Sequence, residues 1–191
     1  GVTLTIEPGV TVIFRPETFM SVNGNLIAEG TEQDSIIFTG NYWNDINIQN
    51  ASGGSSLKYV RITDESDDSY QTKLTLRNTT ISNSEFYGVR NAIDLRDSSS
   101  VEYSLFRDIA QRAVLSSNST IYGNEFYNIG SRGSAGNEAI NLFGGSVFRN
   151  NIVQNILGGN PAVKVNQNTI IIENIIGDYK GSHGLVGLFV S

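Results

Sequence analysis

Cysteine is absent from this 191-residue chain, which rules out disulfides and thiolate metal sites and is neutral about compartment. Proline occurs only three times, which beside twenty glycines fits short strands joined by many tight turns. Histidine occurs once, as His183 near a C-terminal turn, where a lone histidine usually packs or faces solvent rather than taking a catalytic role. No stretch of about 18 apolar residues exists, and no membrane span is expected. No segment of 11 or more residues carries a helical 3.6-residue period, which leaves an all-β chain. Positive charge is scarce as well. Thirteen Lys and Arg against nineteen Asp and Glu give a formal net charge of −6, which argues against a nucleic-acid partner.

What is abundant is glycine, at 20 residues, and a seven-residue pattern that returns along the second half. It reads Thr80-Ile81-Ser82-Asn83-Ser84-Glu85-Phe86, then Ser100-Val101-Glu102-Tyr103-Ser104-Leu105-Phe106. Further copies read Thr120-Ile121-Tyr122-Gly123-Asn124-Glu125-Phe126, Ser146-Val147-Phe148-Arg149-Asn150-Asn151-Ile152 and Ile170-Ile171-Ile172-Glu173-Asn174-Ile175-Ile176. A unit recurring every ~20 to 26 residues marks a solenoid, in which each coil buries its apolar face against its neighbours. The length suits one domain, residues 1–191, of about eight coils. Residues 1–56 form less regular N-terminal coils and residues 57–191 the regular ones, starting from the early copy Ser56-Leu57-Lys58-Tyr59-Val60-Arg61-Ile62.

Two ladders are expected inside the regular coils. The fifth position stacks Ser84, Ser104, Asn124, Asn150 and Asn174, whose side chains can satisfy turn backbone. The seventh stacks Phe86, Phe106, Phe126, Ile152 and Ile176 inward. A second short strand follows each copy: Ala92-Ile93-Asp94-Leu95, Ala113-Val114-Leu115, Ala139-Ile140-Asn141-Leu142 and Ala162-Val163-Lys164-Val165. Strand alternation turns Asn47, Thr75, Asp94, Leu115, Asn141, Lys164 and Phe189 outward in one row, with Arg77, Arg96 and Ser117 two positions on. Phe148, Ile172 and Phe189 are expected to face outward late in the chain, which suggests a missing cap, a neighbouring domain or a dimer contact at the C-terminal end. The longest connection, Tyr127 to Glu138, is a candidate binding loop.

Leu4-Thr5-Ile6-Glu7-Pro8-Gly9-Val10-Thr11-Val12, Asn25-Leu26-Ile27-Ala28-Glu29-Gly30-Thr31, Ile36-Ile37-Phe38-Thr39 and Trp43 resemble the opening of bacterial secreted right-handed parallel β-helix proteins. The later coils look like the generic repeat of the pectin-lyase-like superfamily. The resemblance covers essentially the whole chain. It implies a single-stranded right-handed parallel β-helix and a secreted or cell-surface location. Such proteins usually carry a strand or cap before the Leu-Thr-Ile-Glu-Pro-Gly segment, so the chain reads as a piece of a longer protein. The superfamily includes lyases, hydrolases, tailspikes, adhesin-like proteins and non-catalytic modules, so function must be argued from residues.

Polygalacturonase-like hydrolases carry Asn-Thr-Asp, Asp-Asp, Gly-His-Gly and Arg-Ile-Lys segments in that order. Here only Asp67-Asp68 and Ser182-His183-Gly184 remain, and several coils separate them. Inverting hydrolysis needs carboxyls about 6.5–9.5 Å apart, so this template is rejected. Pectate-lyase-like enzymes hold calcium on several carboxylates and use a cation as base, because the metal acidifies the uronate α-proton. Asp94, Arg77, Arg96 and Lys164 are the catalytic candidates for such chemistry. Arg112, Glu138 and Asn141 are the ligand-binding candidates, and Asp64, Asp67 and Asp68 the candidate oxygen ligands for calcium. No other cofactor is called for. The tyrosines are candidate sugar-stacking platforms.

The incomplete catalytic set and the acidic balance favour a non-catalytic extracellular module for surface display, adhesion or glycan binding, its partner a polysaccharide or cell-surface glycan. A calcium-assisted lyase on an acidic glycan is the alternative. An ice-binding solenoid is the third reading, disfavoured because Thr3, Thr5, Thr11, Thr75, Thr79 and Thr80 do not line up in one row.

Overall fold

A computed structural model of the chain describes residues 1–49, 54–66, 72–130, 138–158, 161–166, 168–177, 180 and, for the backbone alone, 188–190. Asp67, Asp68, Tyr70, His183 and most of the Tyr127–Glu138 connection lie outside these residues. The fold is a parallel β-solenoid. Each coil gives one strand to each of three parallel sheets, and among the described residues each sheet contains eight strands. The first sheet begins at Thr3–Ile6 and ends at Ile170–Ile172, the second runs from Thr11–Phe14 to Ile175–Ile176, and the third from Met20–Val22 to Leu188–Val190. The described residues contain no helix.

Period-two alternation sends one side chain of each strand into a narrow core and the next to solvent. In the first sheet Ala28, Leu57, Ile81, Val101, Ile121 and Phe148 stack inward in register and are buried. In the second, Phe86, Phe106 and Phe126 stack ring on ring, with centroids 4.4 Å and 4.8 Å apart. Offset aromatic pairs of this kind contribute about 0.5–1.5 kcal/mol beyond their burial.

The corners turn on single left-handed residues. Between the first and second sheets these are Tyr59, Asn83, Tyr103, Gly123, Asn150 and Glu173, with φ from +47° to +66°. Asparagine and glycine suit that region, whereas tyrosine and glutamate are held there by the stack. At Gly123 the lack of a side chain has a second use, since an added Cβ would meet the Tyr103 ring at 3.0 Å.

The inward amide ladder is present, with one correction. Ser84 N–H donates to Ser104 Oγ at 3.1 Å, Ser104 N–H to Asn124 Oδ1 at 2.9 Å, Asn124 N–H to Asn151 Oδ1 at 2.9 Å and Asn151 N–H to Asn174 Oδ1 at 2.8 Å. Asn151, not Asn150, belongs to the ladder; Asn150 is the exposed left-handed corner residue. The fourth copy of the repeat therefore starts at Val147, which pairs with Thr120 and Ile170. Val153 rather than Ile152 stacks on Phe126. A one-residue slip of register reverses every side chain of a strand, so Phe148, expected outside, is fully buried and packs against Phe126 at 6.1 Å. Ile172 does face outward and is exposed.

Candidate functional site

The row expected to face outward on the third sheet has the expected register. Asn47, Thr75, Asp94, Leu115, Asn141, Lys164 and Phe189 are successive Cα partners, and Arg77 pairs with Arg96. Strand alternation alone places Asp94, Arg77 and Arg96 on one face. Their partners divide that face into two ion-paired groups.

In the first group Arg96 grips Asp94: Nε lies 3.1 Å from both carboxylate oxygens and an Nη donates to Oδ2 at 2.5 Å. This contact covers Asp94, which is 6% exposed although it points away from the core. The hydrogen bond to Asp94 raises the Arg96 pKa above its ordinary value. Arg77 turns away from Asp94 and pairs with Asp97 in the following turn. These four residues rim a shallow depression of about 330 Å³ floored by Leu115, Ser117 and Phe143.

The second group sits toward the C-terminal end. Glu138 accepts from Lys164 Nζ at 2.9 Å and from Asn141 Nδ2 at 3.2 Å, and Arg112 lies 3.6 Å away. Burial pushes the Glu138 carboxyl up, but the Lys164 hydrogen bond and the Lys164 and Arg112 charges outweigh it, and the pKa is lowered from its ordinary value. Asn166 Nδ2 extends the network to Asn141 Oδ1 at 3.1 Å. Arg112 thus joins Glu138, Asn141 and Lys164 and is not one of the residues that pair with Asp94. Asp64 stands elsewhere, buried against Lys73. Among the described residues no three His, Cys, Asp or Glu side chains come together as a metal site.

A third feature was not singled out from the sequence. On the outer face of the second sheet Tyr87, Arg107 and Tyr127 are register partners on successive coils. The Arg107 guanidinium lies 4.0 Å from the Tyr87 ring centroid, and Tyr87 and Tyr127 are 40% and 48% exposed. Glu85 fixes this cation from the adjacent row, accepting at 2.6 Å from both Arg107 Nε and Arg61 Nε. The signal was present in the repeat, because each of the three residues follows the closing Phe86, Phe106 or Phe126. On the first sheet a hydroxyl row does form, but over only four coils: Ser56, Thr80, Ser100 and Thr120 are Cα partners, with Ile27 before and Val147 after.

Compared with known proteins, the chain matches no protein-family model and no curated protein. Its class is therefore the one its own geometry defines, a parallel β-solenoid with ion-paired and aromatic outer faces. Among the described residues no helix is long and apolar enough to cross a membrane.

Proposed function

We propose that the protein is a non-catalytic module of a bacterial secreted or cell-surface protein, a right-handed β-helix of the pectin-lyase-like type, serving display, adhesion or glycan binding. The observation that carries this reading is the mutual neutralisation of the third-sheet face. Asp94 is held by Arg96, Arg77 by Asp97, and Glu138 by Lys164 and Arg112. A lyase needs carboxylates available to a metal and a cation available to remove a proton; here each candidate is engaged by its neighbour. Binding by contrast suits rigid faces with pre-set partners. The exposed Tyr87–Arg107–Tyr127 ladder adds two aromatic rings beside an arginine held by Glu85, chemistry that fits a glycan laid along the solenoid.

The lyase alternative draws on one feature, the depression between Arg77, Asp94, Arg96 and Asp97. A panel of acidic and neutral polysaccharides, tested for binding and for product release with and without calcium, separates the two readings. The expected result is binding without product, weakened about tenfold or more in Tyr87→Ala/Tyr127→Ala, the loss of two aromatic anchors. Calcium-dependent ultraviolet absorbance that disappears in Arg77→Ala/Arg96→Ala would overturn the module reading. Exposed Ile170, Ile172 and Ile175 on the last coil support a neighbouring domain or a second copy at that end.

A further inference from the structure

The corner between the second and third sheets holds a lysine where the coils that follow place alanine. Ala92, Ala113, Ala139 and Ala162 each precede the inward residues Ile93, Val114, Ile140 and Val163, which are register partners, and all four alanines are buried. One coil earlier the corresponding residue before Leu74 is Lys73, and before Ile46 it is Asp45, since Ile46 pairs with Leu74 and Leu74 with Ile93. Lys73 is fully buried. Its Nζ lies 2.6 Å from Asp64 Oδ2, and neither side chain has any solvent exposure. The ammonium also donates to the Trp43 carbonyl and, at 3.4 Å, to the Asn44 carbonyl. It lies 4.4 Å from the Trp43 ring centroid, and that ring is stacked on Phe14.

The two oxygens of Asp64 are treated differently. Oδ1 accepts the Tyr42 N–H at 2.9 Å and the Ser66 N–H at 3.0 Å. Oδ2 faces the Lys73 ammonium and has no other donor among the described residues. As an ion pair the arrangement puts donors on both oxygens, as an interior charge requires. The asymmetry also suits acyl transfer: an amine beside a carboxyl carbon, two backbone N–H groups on the oxygen that would carry the negative charge, and an oxygen left to depart. Asp45, one coil away at the same corner, supplies a second carboxyl.

We propose that Lys73 and Asp64 become joined by an intramolecular isopeptide bond, with Asp45 as the proton carrier. The Nζ–Cγ bond forms and the Cγ–Oδ2 bond breaks. Oδ2 leaves as water with two of the three protons that the ammonium began with, and the third stays on the amide nitrogen. Charge and atoms balance with no oxidant, reductant or co-reactant. During attack the Tyr42 and Ser66 N–H groups hold the developing oxyanion on Oδ1. Burial pulls the Lys73 pKa down from its ordinary value, against the hydrogen bond and charge of Asp64 and the charge of Asp45, which enlarges the neutral, nucleophilic fraction. Burial likewise raises the Asp45 carboxyl, against the Lys73 charge, so that a proton resides there more readily than on an ordinary aspartate. The product closes the segment from Asp64 to Lys73 covalently at the start of the regular coils, in a chain that has no cysteine to do so.

The test is the mass of the full chain under denaturing conditions. The bonded protein is lighter than its sequence by one water. Trypsin then yields the peptide from Ile62 to Arg77 uncut after Lys73 and lighter by one water. A succinimide at an aspartate would also lose water, but it would leave Lys73 cleavable. Lys73→Arg and Asp64→Ala are expected at full sequence mass, and Asp45→Asn to form the bond more slowly. Wild-type protein at full sequence mass after prolonged incubation at neutral pH, with Lys73 cleaved by trypsin, would overturn the proposal whether or not any variant folds. Bond formation at an unchanged rate in Asp45→Asn would overturn the role given to Asp45.

Discussion

Asn151→Ala is expected to be among the most damaging single polar substitutions in the regular coils, and Asn150→Ala, one residue away, close to the mildest. Asn151 is 1% exposed. Its Oδ1 accepts the Asn124 backbone N–H at 2.9 Å and Asn124 Nδ2 at 3.1 Å, while its Nδ2 donates to the Ile121 carbonyl at 3.0 Å and to Asn174 Oδ1 at 3.0 Å. Alanine leaves the Asn124 N–H and the Ile121 carbonyl without those partners, and Asn124 itself has no exposure. A buried group stranded in this way costs about 1–3 kcal/mol, so two such losses amount to about 3 kcal/mol. For a chain of this size that is a fall in melting temperature of about 6–12 °C. Asn150 is exposed and contributes mainly its tolerance of φ +56°. Replacing it costs about 1 kcal/mol, the penalty of a left-handed alanine. Urea unfolding followed by circular dichroism, compared at matched slopes, measures the difference. An Asn150→Ala variant less stable than Asn151→Ala would refute the register that puts Val147 beside Thr120, and with it the placing of Phe148 in the core.

Phe106→Ala removes the middle ring of the Phe86–Phe106–Phe126 stack, and thermal unfolding is expected to show a loss of about 3–5 kcal/mol, the usual cost of a buried phenylalanine. Arg61→Ala removes one of two arginines on Glu85, and its Nε sits on a half-exposed side chain; a change below about 1 kcal/mol is expected, and a larger one would mean that the second-sheet face is structurally essential. Because the folded pKa of Glu138 is depressed, its contribution is complete above the unfolded-chain value of about 4.3 and fades as pH falls through the lower folded value. Urea midpoints of wild type and Glu138→Gln should therefore converge in acid; a gap that is constant from neutral to strongly acidic pH would contradict the Lys164 and Arg112 pairing. Thermal hysteresis in chilled solution is expected to be absent, because the hydroxyl row spans only Ser56 to Thr120 and the row two residues on carries Lys58, Glu102 and Arg149.

The inward columns of this solenoid were legible in the sequence, and the outward chemistry was legible only as far as register. Alternation around Ile93, Val114, Ile140 and Val163 is unambiguous, so the register of the whole row from Asn47 to Phe189 follows from the sequence. At the fourth copy the pattern was degenerate. Val147 and Phe148 are both apolar and Asn150 and Asn151 are identical, so either register gives an apolar strand followed by an asparagine at the ladder position. The register that buries the larger side chain prevails, since Phe148 removes more apolar surface from water than Val147 does. Ion pairing follows a different rule, one that a one-dimensional pattern does not carry. Asp94 had cations on its own strand and on the coil before, and the choice of Arg96 over Arg77 is made by long side chains and by Asp97 in the turn.

Lys73 shows where these two rules meet. A lysine at the start of a strand reads as a solvated side chain, and nothing in Thr72-Lys73-Leu74 marks it otherwise. Its burial becomes visible only when the coils are laid in register and its column is found to hold Ala92, Ala113, Ala139 and Ala162. A column that admits methyl groups in four coils accepts an ammonium in a fifth only if that coil also supplies a compensating charge. The same coil does so with Asp64, on the chain segment that leaves the second sheet. The pairing is thus a consequence of the solenoid's own geometry: the end of one sheet and the start of the next converge at every corner, and here alone among the described coils they bring together an amine and a carboxyl shielded from water.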